Sequence, residues 1–180
     1  IMVPANENEC WQMLDFGYSL SGPVAVRYPR GNAPGENIEK NTNTIELGKA
    51  KILELKESST VAILSFGSLL DISEEVAKEI HATLVDMRFV KPLDESLLKE
   101  LSASHDLFVT VEENVIAGGA GSAVNEFVNA NSLPIKLLNF GIPDEFPVVG
   151  SPEDQKQAAE LTKENLLAKA ASSLHLFVTY

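Results

Sequence analysis

The stretch "VAVRYPRGN", residues 24–32, holds the residues of this chain best suited to chemistry. An apolar run of strand type ends in Arg27, Tyr28, Pro29, Arg30 and Gly31. Pro29 removes a backbone donor and stiffens the chain, which ends a ladder. Gly31 lets the backbone turn away. Arg30 then projects from the carboxyl end of a strand on a rigid mount. A guanidinium so placed donates two parallel hydrogen bonds to a phosphate or a carboxylate. The same placement suits a salt bridge across a domain boundary to one of the 26 acidic residues. The residues alone leave both readings open. Arg27 and Tyr28 alternate about the strand and are read as strand packing.

Three other groups invite a chemical reading. In "VIAGGAGSAVNEF" a strand runs into Gly118, Gly119 and Gly121 and then a helix, a layout that can cradle phosphate. The spacing is GGxG rather than GxGxxG, and the next strand lacks an acidic residue suited to a ribose. A tight strand-to-helix turn is the favoured reading. Glu112 and Glu113 lie at the end of a parallel strand, where α/β sheets place their sites. Adjacent strand residues point to opposite faces, so the two carboxylates do not converge for acid–base work. They are read as loop anchors or interdomain contacts. Asp86 and Arg88, two apart, are read as an ion pair fixing a strand's exit.

The histidines His81, His105 and His175 are far apart in sequence. His81 and His105 read as caps at helix C-termini, where the dipole favours them. Without a histidine at a site, no serine has a base for triad chemistry. Clustered metal ligands are absent from the pattern, and a lone Cys10 supports neither an intrachain disulfide nor a structural zinc site.

The elements that must position these residues follow an α/β alternation. Residues 1–4 read as a strand end. Residues 6–20 read as a helix with Asn6 as N-cap, Glu9 in a capping-box position, and Trp11, Leu14 and Tyr18 along one face. With the strand at 24–28 they read as the last α/β unit of a domain whose earlier part is expected to lie outside this chain. Residues 33–44 are a linker poor in apolar side chains. From residue 45 a complete pattern follows. It has a half-exposed edge strand, four buried strands separated by helices, and one long C-terminal helix begun by Ser151 and Pro152. The predicted fold class is α/β: a three-layer domain, residues 45–180, on a mostly parallel five-stranded sheet with one antiparallel edge strand.

Composition narrows the function. With 44% hydrophobic and 22% charged residues the chain is globular. A net charge of −12 without a basic stripe argues against nucleic acid. No run approaches the roughly 20 apolar residues of a membrane span. No signal peptide is legible at residue 1, and one cysteine fits a reducing compartment.

Taken in order, "VPANENECWQML", "GPVAVRYPRGN", "ATLVDMRFVKPLD", "VTVEEN", "GGAGSAVNE" and "LNFGIPDEF" resemble the C-terminal part of the 1-deoxy-D-xylulose-5-phosphate synthase family. These are homodimeric transferases of the transketolase superfamily. The resemblance implies a three-domain parent using thiamine diphosphate and Mg²⁺. The parent condenses pyruvate with glyceraldehyde 3-phosphate to 1-deoxy-D-xylulose 5-phosphate and CO2, a precursor of isoprenoids, thiamine and pyridoxal. It implies that residues 1–32 are the remnant of the pyrimidine-binding middle domain. It further implies that residues 45–180 are the transketolase-like C-terminal domain. It assigns Arg30 to the phosphate of glyceraldehyde 3-phosphate, with no catalytic, cofactor or metal residue in the chain. The family's magnesium motif and activating glutamate have no counterpart here, so the isolated chain is expected to be inactive and to bind no cofactor. Arg30 itself, on a strand without its sheet, is expected to be misplaced or mobile. The implied location is the cytoplasm or the plastid stroma.

Where many relatives carry His-Gly, this chain has Val149 and Gly150, and the tail after Leu174 shows little resemblance. Two other readings stay open. One is the subunit-docking domain of a 2-oxo acid dehydrogenase beta subunit, which shares this architecture. The other is a free-standing nucleotide-binding domain, suggested by the glycine turn alone.

Overall fold

A computed structural model describes residues 1–32, 34–40 and 45–175, with side chains to residue 173. Parts of the expected linker and the tail "LFVTY" lie outside the described residues. Five strands form one sheet in the order β1-β3-β2-β4-β5. They are β1 (Lys51–Glu54), β2 (Val61–Phe66), β3 (Thr83–Asp86), β4 (Leu107–Val115) and β5 (Lys136–Ile142). β1 runs antiparallel to β3 at one edge, with Lys51 opposite Asp86. All other pairs are parallel. The predicted fold class is therefore the one observed.

The strands form where β-branched and aromatic residues alternate between two buried faces. Ala62, Leu64 and Phe66 of β2 face one core. Helices α3 (Glu95–Ser102) and α4 (Ala120–Ala130) bring Leu98, Leu101, Val124 and Phe127 to it. Val61 and Ile63 face the opposite core, which is filled by Val76 and Ala77 of α2 (Leu70–Ile80) and by Leu166. α3 starts at Asp94, whose side chain accepts the Leu97 N–H. α2 ends at His81, a left-handed residue with φ 56°.

Four elements depart from the sequence reading. The N-terminal helix α1 (Glu7–Ser19) is capped by Asn6 as expected. Its buried face, however, is Glu9, Gln12, Met13 and Gly17, while Trp11, Leu14 and Tyr18 are exposed. Met13 wins because it reaches a small third core of Met2, Ile45 and Phe89. Gly17 allows Val24 to approach; a Cβ there would lie 2.9 Å from Val24 Cγ1. Residues 24–28 form no strand of the sheet, only a single parallel bridge between Val26 and Met2. β3 stops at Asp86, because the Asp86 carboxylate takes the Arg88 N–H at 3.2 Å and Arg88 turns left-handed with φ 58°.

The expected long C-terminal helix is two, α5 (Pro152–Ala158) and α6 (Lys163–His175). Glu160 adopts φ 58°, and the Leu161 N–H turns back to the Lys156 carbonyl. That left-handed step closes α5 and buries Leu161 in the second core.

Candidate functional site

The arginine-bearing segment is held by few contacts. Met2 donates its N–H to the Ala25 carbonyl and accepts the Arg27 N–H, both at 2.9 Å. Arg27 then donates its guanidinium to the Glu113 carbonyl at the end of β4. So Arg27, read as strand packing, ties the segment to the sheet, and Tyr28 is 60% exposed rather than packed. The segment is tethered at both Met2 and Glu113.

Arg30 is exposed and makes no ion pair among the described residues. Of the two readings left open, the structure does not supply the salt bridge. Instead, Tyr28 to Gly31 form the ridge between two clefts. One, of about 710 Å³, is closed by Glu113, Ile142, Ser151, Gln155 and Lys156. The other, of about 630 Å³, is closed by Pro4 to Glu7, Cys10, Ser68, Asp71 and Lys156. The first opens at the carboxyl ends of β4 and β5 and the second beside the turn that follows β2, the edge where parallel sheets place ligands. Lys156 joins the two clefts and lies 4.0 Å from the Glu113 carboxylate. Sequence reasoning missed Lys156 and Ser68, because neither carries a local motif and only the fold brings them to Arg30.

The glycine turn has its anion already. Glu112 accepts the Ala120 N–H at 2.7 Å and the Gly121 N–H at 2.8 Å, filling the N-terminus of α4. Gly119 is glycine because a Cβ would collide with the Glu112 carboxylate and the Val115 carbonyl. Burial pushes the Glu112 carboxyl above its ordinary value, against the pull of the two N–H groups and Arg27. Glu112 and Glu113, adjacent on β4, point to opposite faces as strand alternation requires. Glu113 accepts from Ser68 on the side of the clefts.

Asp86 and Arg88 do pair, at 3.7 Å, but a third member joins them. Arg88 Nε and Nη2 both meet Glu9 Oε1 at 2.8 Å, and all three side chains are buried. Two carboxylates share one guanidinium. Burial and then the Glu9 charge hold the Asp86 carboxyl well above its ordinary value. Glu9 was legible only as a capping residue. Its Oε2 accepts the Ala5 N–H at 3.1 Å, and its partner lies 79 residues away.

His105 is buried between the Leu101 carbonyl and Thr83 Oγ1, at 3.0 and 2.9 Å. Among the described residues no group of three or more His, Cys, Asp or Glu could hold a metal ion. Nor is any helix of the described residues long and apolar enough to cross a membrane.

Sheet order, the antiparallel edge and a cleft at the strands' carboxyl ends define an α/β domain of transketolase type. The model of the transketolase C-terminal domain family matches residues 48–166, and the chain belongs to that family. The chain is similar to the 1-deoxy-D-xylulose-5-phosphate synthase of Colwellia psychrerythraea. The two are 50% identical over 177 residues, covering 94% of this chain and 28% of that protein. It is 54% identical over 155 residues to the synthase of the same name from Pectobacterium atrosepticum, covering 86% of this chain and 24% of that protein. The chain thus spans about a quarter of the length of these curated relatives. A solved structure described as a split-gene transketolase, inactive beta4 tetramer, superposes with a TM-score of 0.80 at 27% identity. It covers 97% of this chain and 57% of its own.

Proposed function

We propose that this chain is the C-terminal part of a 1-deoxy-D-xylulose-5-phosphate synthase, and that Arg30 holds the phosphate of its acceptor, glyceraldehyde 3-phosphate. The observation that carries the reading is an exposed guanidinium without a carboxylate partner among the described residues, on the ridge between two clefts at the sheet's carboxyl edge. The similarity to two synthases over most of the chain supports it. Residues 1–32 are then the end of the middle domain, residues 33–44 the linker and residues 45–180 the C-terminal domain.

In this reading, Arg27 fixes the segment to β4, and Pro29 and Gly31 aim Arg30. The phosphate is far from the reacting carbonyl, so binding energy there orients the aldehyde. A charge-assisted contact contributes about 1.5–3 kcal/mol, or roughly ten- to a hundredfold in kcat/KM.

Thiamine diphosphate, Mg²⁺ and pyruvate belong to the proposed parent. The cofactor would supply the carbanion that attacks the aldehyde. The described residues do not fit it: the one glycine turn that resembles a phosphate cradle is filled by Glu112, and the donor set offers no metal cluster. The proposal therefore places cofactor binding outside these residues and holds the chain alone to be inactive. The solved relative's description as an inactive beta4 tetramer is in keeping with an inactive isolated chain; the parent is proposed to be a homodimer. The proposed location is the cytoplasm or the plastid stroma.

The test is made in the full-length protein that contains this chain. Arg30→Ala is expected to lower use of glyceraldehyde 3-phosphate ten- to a hundredfold while pyruvate decarboxylation is nearly unchanged. An equal fall in both half-reactions would make Arg30 structural.

A further inference from the structure

The chain has only three arginines, Arg27, Arg30 and Arg88. The first two sit at the clefts; the third is buried away from them, and the proposed reaction leaves it without a task. Its contacts nevertheless lead to Arg30. The Asp86 carboxylate accepts the Arg88 N–H at 3.2 Å and holds Arg88 at φ 58°, a region a side chain disfavours. That turn presents the Arg88 carbonyl to the Val3 N–H at 2.8 Å. The Arg88 guanidinium meanwhile grips Glu9 of α1 at 2.8 Å. Arg88 therefore ties both Val3 and α1 to the end of β3, beside the Ile1 hydrogen bonds to Val90 and Lys91, the Met2–Phe89 bridge and the packing of Met13 on Phe89. Met2, next to Val3, makes the two hydrogen bonds that hold residues 25–27. Apart from Arg27 reaching Glu113, and Val24 and Val26 packing near Met2, no other described contact secures the segment that ends in Arg30.

We infer that Arg88, clasped between Glu9 and Asp86, is a positioning residue for Arg30: it locks the N-terminal segment onto β3 and so fixes where the anion-binding guanidinium stands. The inference rests on the proposed role of Arg30. A guanidinium is needed because its fork meets two carboxylates at once, which an ammonium on a flexible stem does less well.

The test uses the 180-residue chain, amide hydrogen exchange, and inorganic phosphate as the probe. Glu9→Gln keeps the side-chain shape and removes the charge that Arg88 grips. The Val3 and Arg27 amides are expected to exchange about tenfold faster, the loss of one charge-assisted bond. Amides of Ile63, Leu64 and Val109 in the central strands should keep their protection. Arg88→Met should release the segment further and weaken phosphate binding about tenfold, towards Arg30→Ala, and Arg88→Lys should recover part of both. If Arg88→Met does not fold, Glu9→Gln still decides through the exchange pattern. Unchanged Val3 and Arg27 amides, or equal acceleration of the central strands, would overturn the inference. If wild type and Arg30→Ala bind phosphate equally, the proposed role of Arg30 falls, and with it Arg88 as its positioning residue; the exchange pattern then reports only how the segment is docked.

Discussion

Replacing Glu112 by Gln tests whether the glycine turn serves the protein's own carboxylate rather than a ligand. In the wild type one carboxylate receives two backbone N–H groups at 2.7 and 2.8 Å, with 3% of the residue exposed. Glutamine keeps one oxygen for one N–H and turns an amide donor on the other. One buried N–H loses its partner, and the surviving bond becomes neutral. Each change is worth roughly 1–3 kcal/mol. The gain from no longer burying a charge offsets part of this, since burial already raises the Glu112 carboxyl. A net loss of about 2 kcal/mol follows, which for a chain of this size lowers Tm by about 4–8 °C. Urea and thermal unfolding of both chains at pH 7 measure it. A variant as stable as the wild type would show that Glu112 does not anchor α4, and the turn would return to candidacy as a phosphate cradle.

Two further outcomes concern the other buried carboxylates. Asp86 carries a raised carboxyl in the fold, so the folded chain binds more protons than the unfolded one from pH 3.8 upward, and stability falls as pH rises through that window. Asp86→Asn mimics the protonated form; its stability relative to wild type should grow from about pH 4 upward in urea titrations, and a gap independent of pH would contradict the shift. Burial pushes the Asp94 carboxyl up, but Ser96, the Ala50 and Leu97 amides and Lys49 together bring it below 3.8. Asp94→Ala should therefore lose about 0.5–2 kcal/mol at neutral pH by removing the α3 cap, with the difference shrinking as acid protonates Asp94 in the wild type; a loss that persists unchanged in acid would show that the carboxylate's charge is not what caps the helix.

The sheet was legible because its signal is local. The apolar runs of β2 and β4, the glycine after β2 and the Ser151–Pro152 start are each signals confined to a few residues. The departures all arise where a distant partner overrides that signal. Trp11, Leu14 and Tyr18 have helical spacing, but Met13 has the core to enter, because Met2 and Phe89 arrive from elsewhere in the chain. Glu9 reads as a cap because its second role needs Arg88, 79 residues on. The break at Glu160 has no glycine or proline to announce it; burial of Leu161 drives it. At the clefts, "YPRG" marked Arg30, while Lys156 and Ser68 join it only through the fold. Diverging roles for Glu112 and Glu113 were readable from strand alternation, though not that one of them fills the glycine turn.

The proposed role of Arg30 is to recognise the acceptor's phosphate. In the full-length protein it is tested most directly by the ratio of kcat/KM for glyceraldehyde 3-phosphate to that for unphosphorylated glyceraldehyde. Arg30→Ala is expected to collapse this ratio by roughly ten- to a hundredfold, by losing the phosphorylated acceptor alone. A ratio equal to that of the wild type would contradict it.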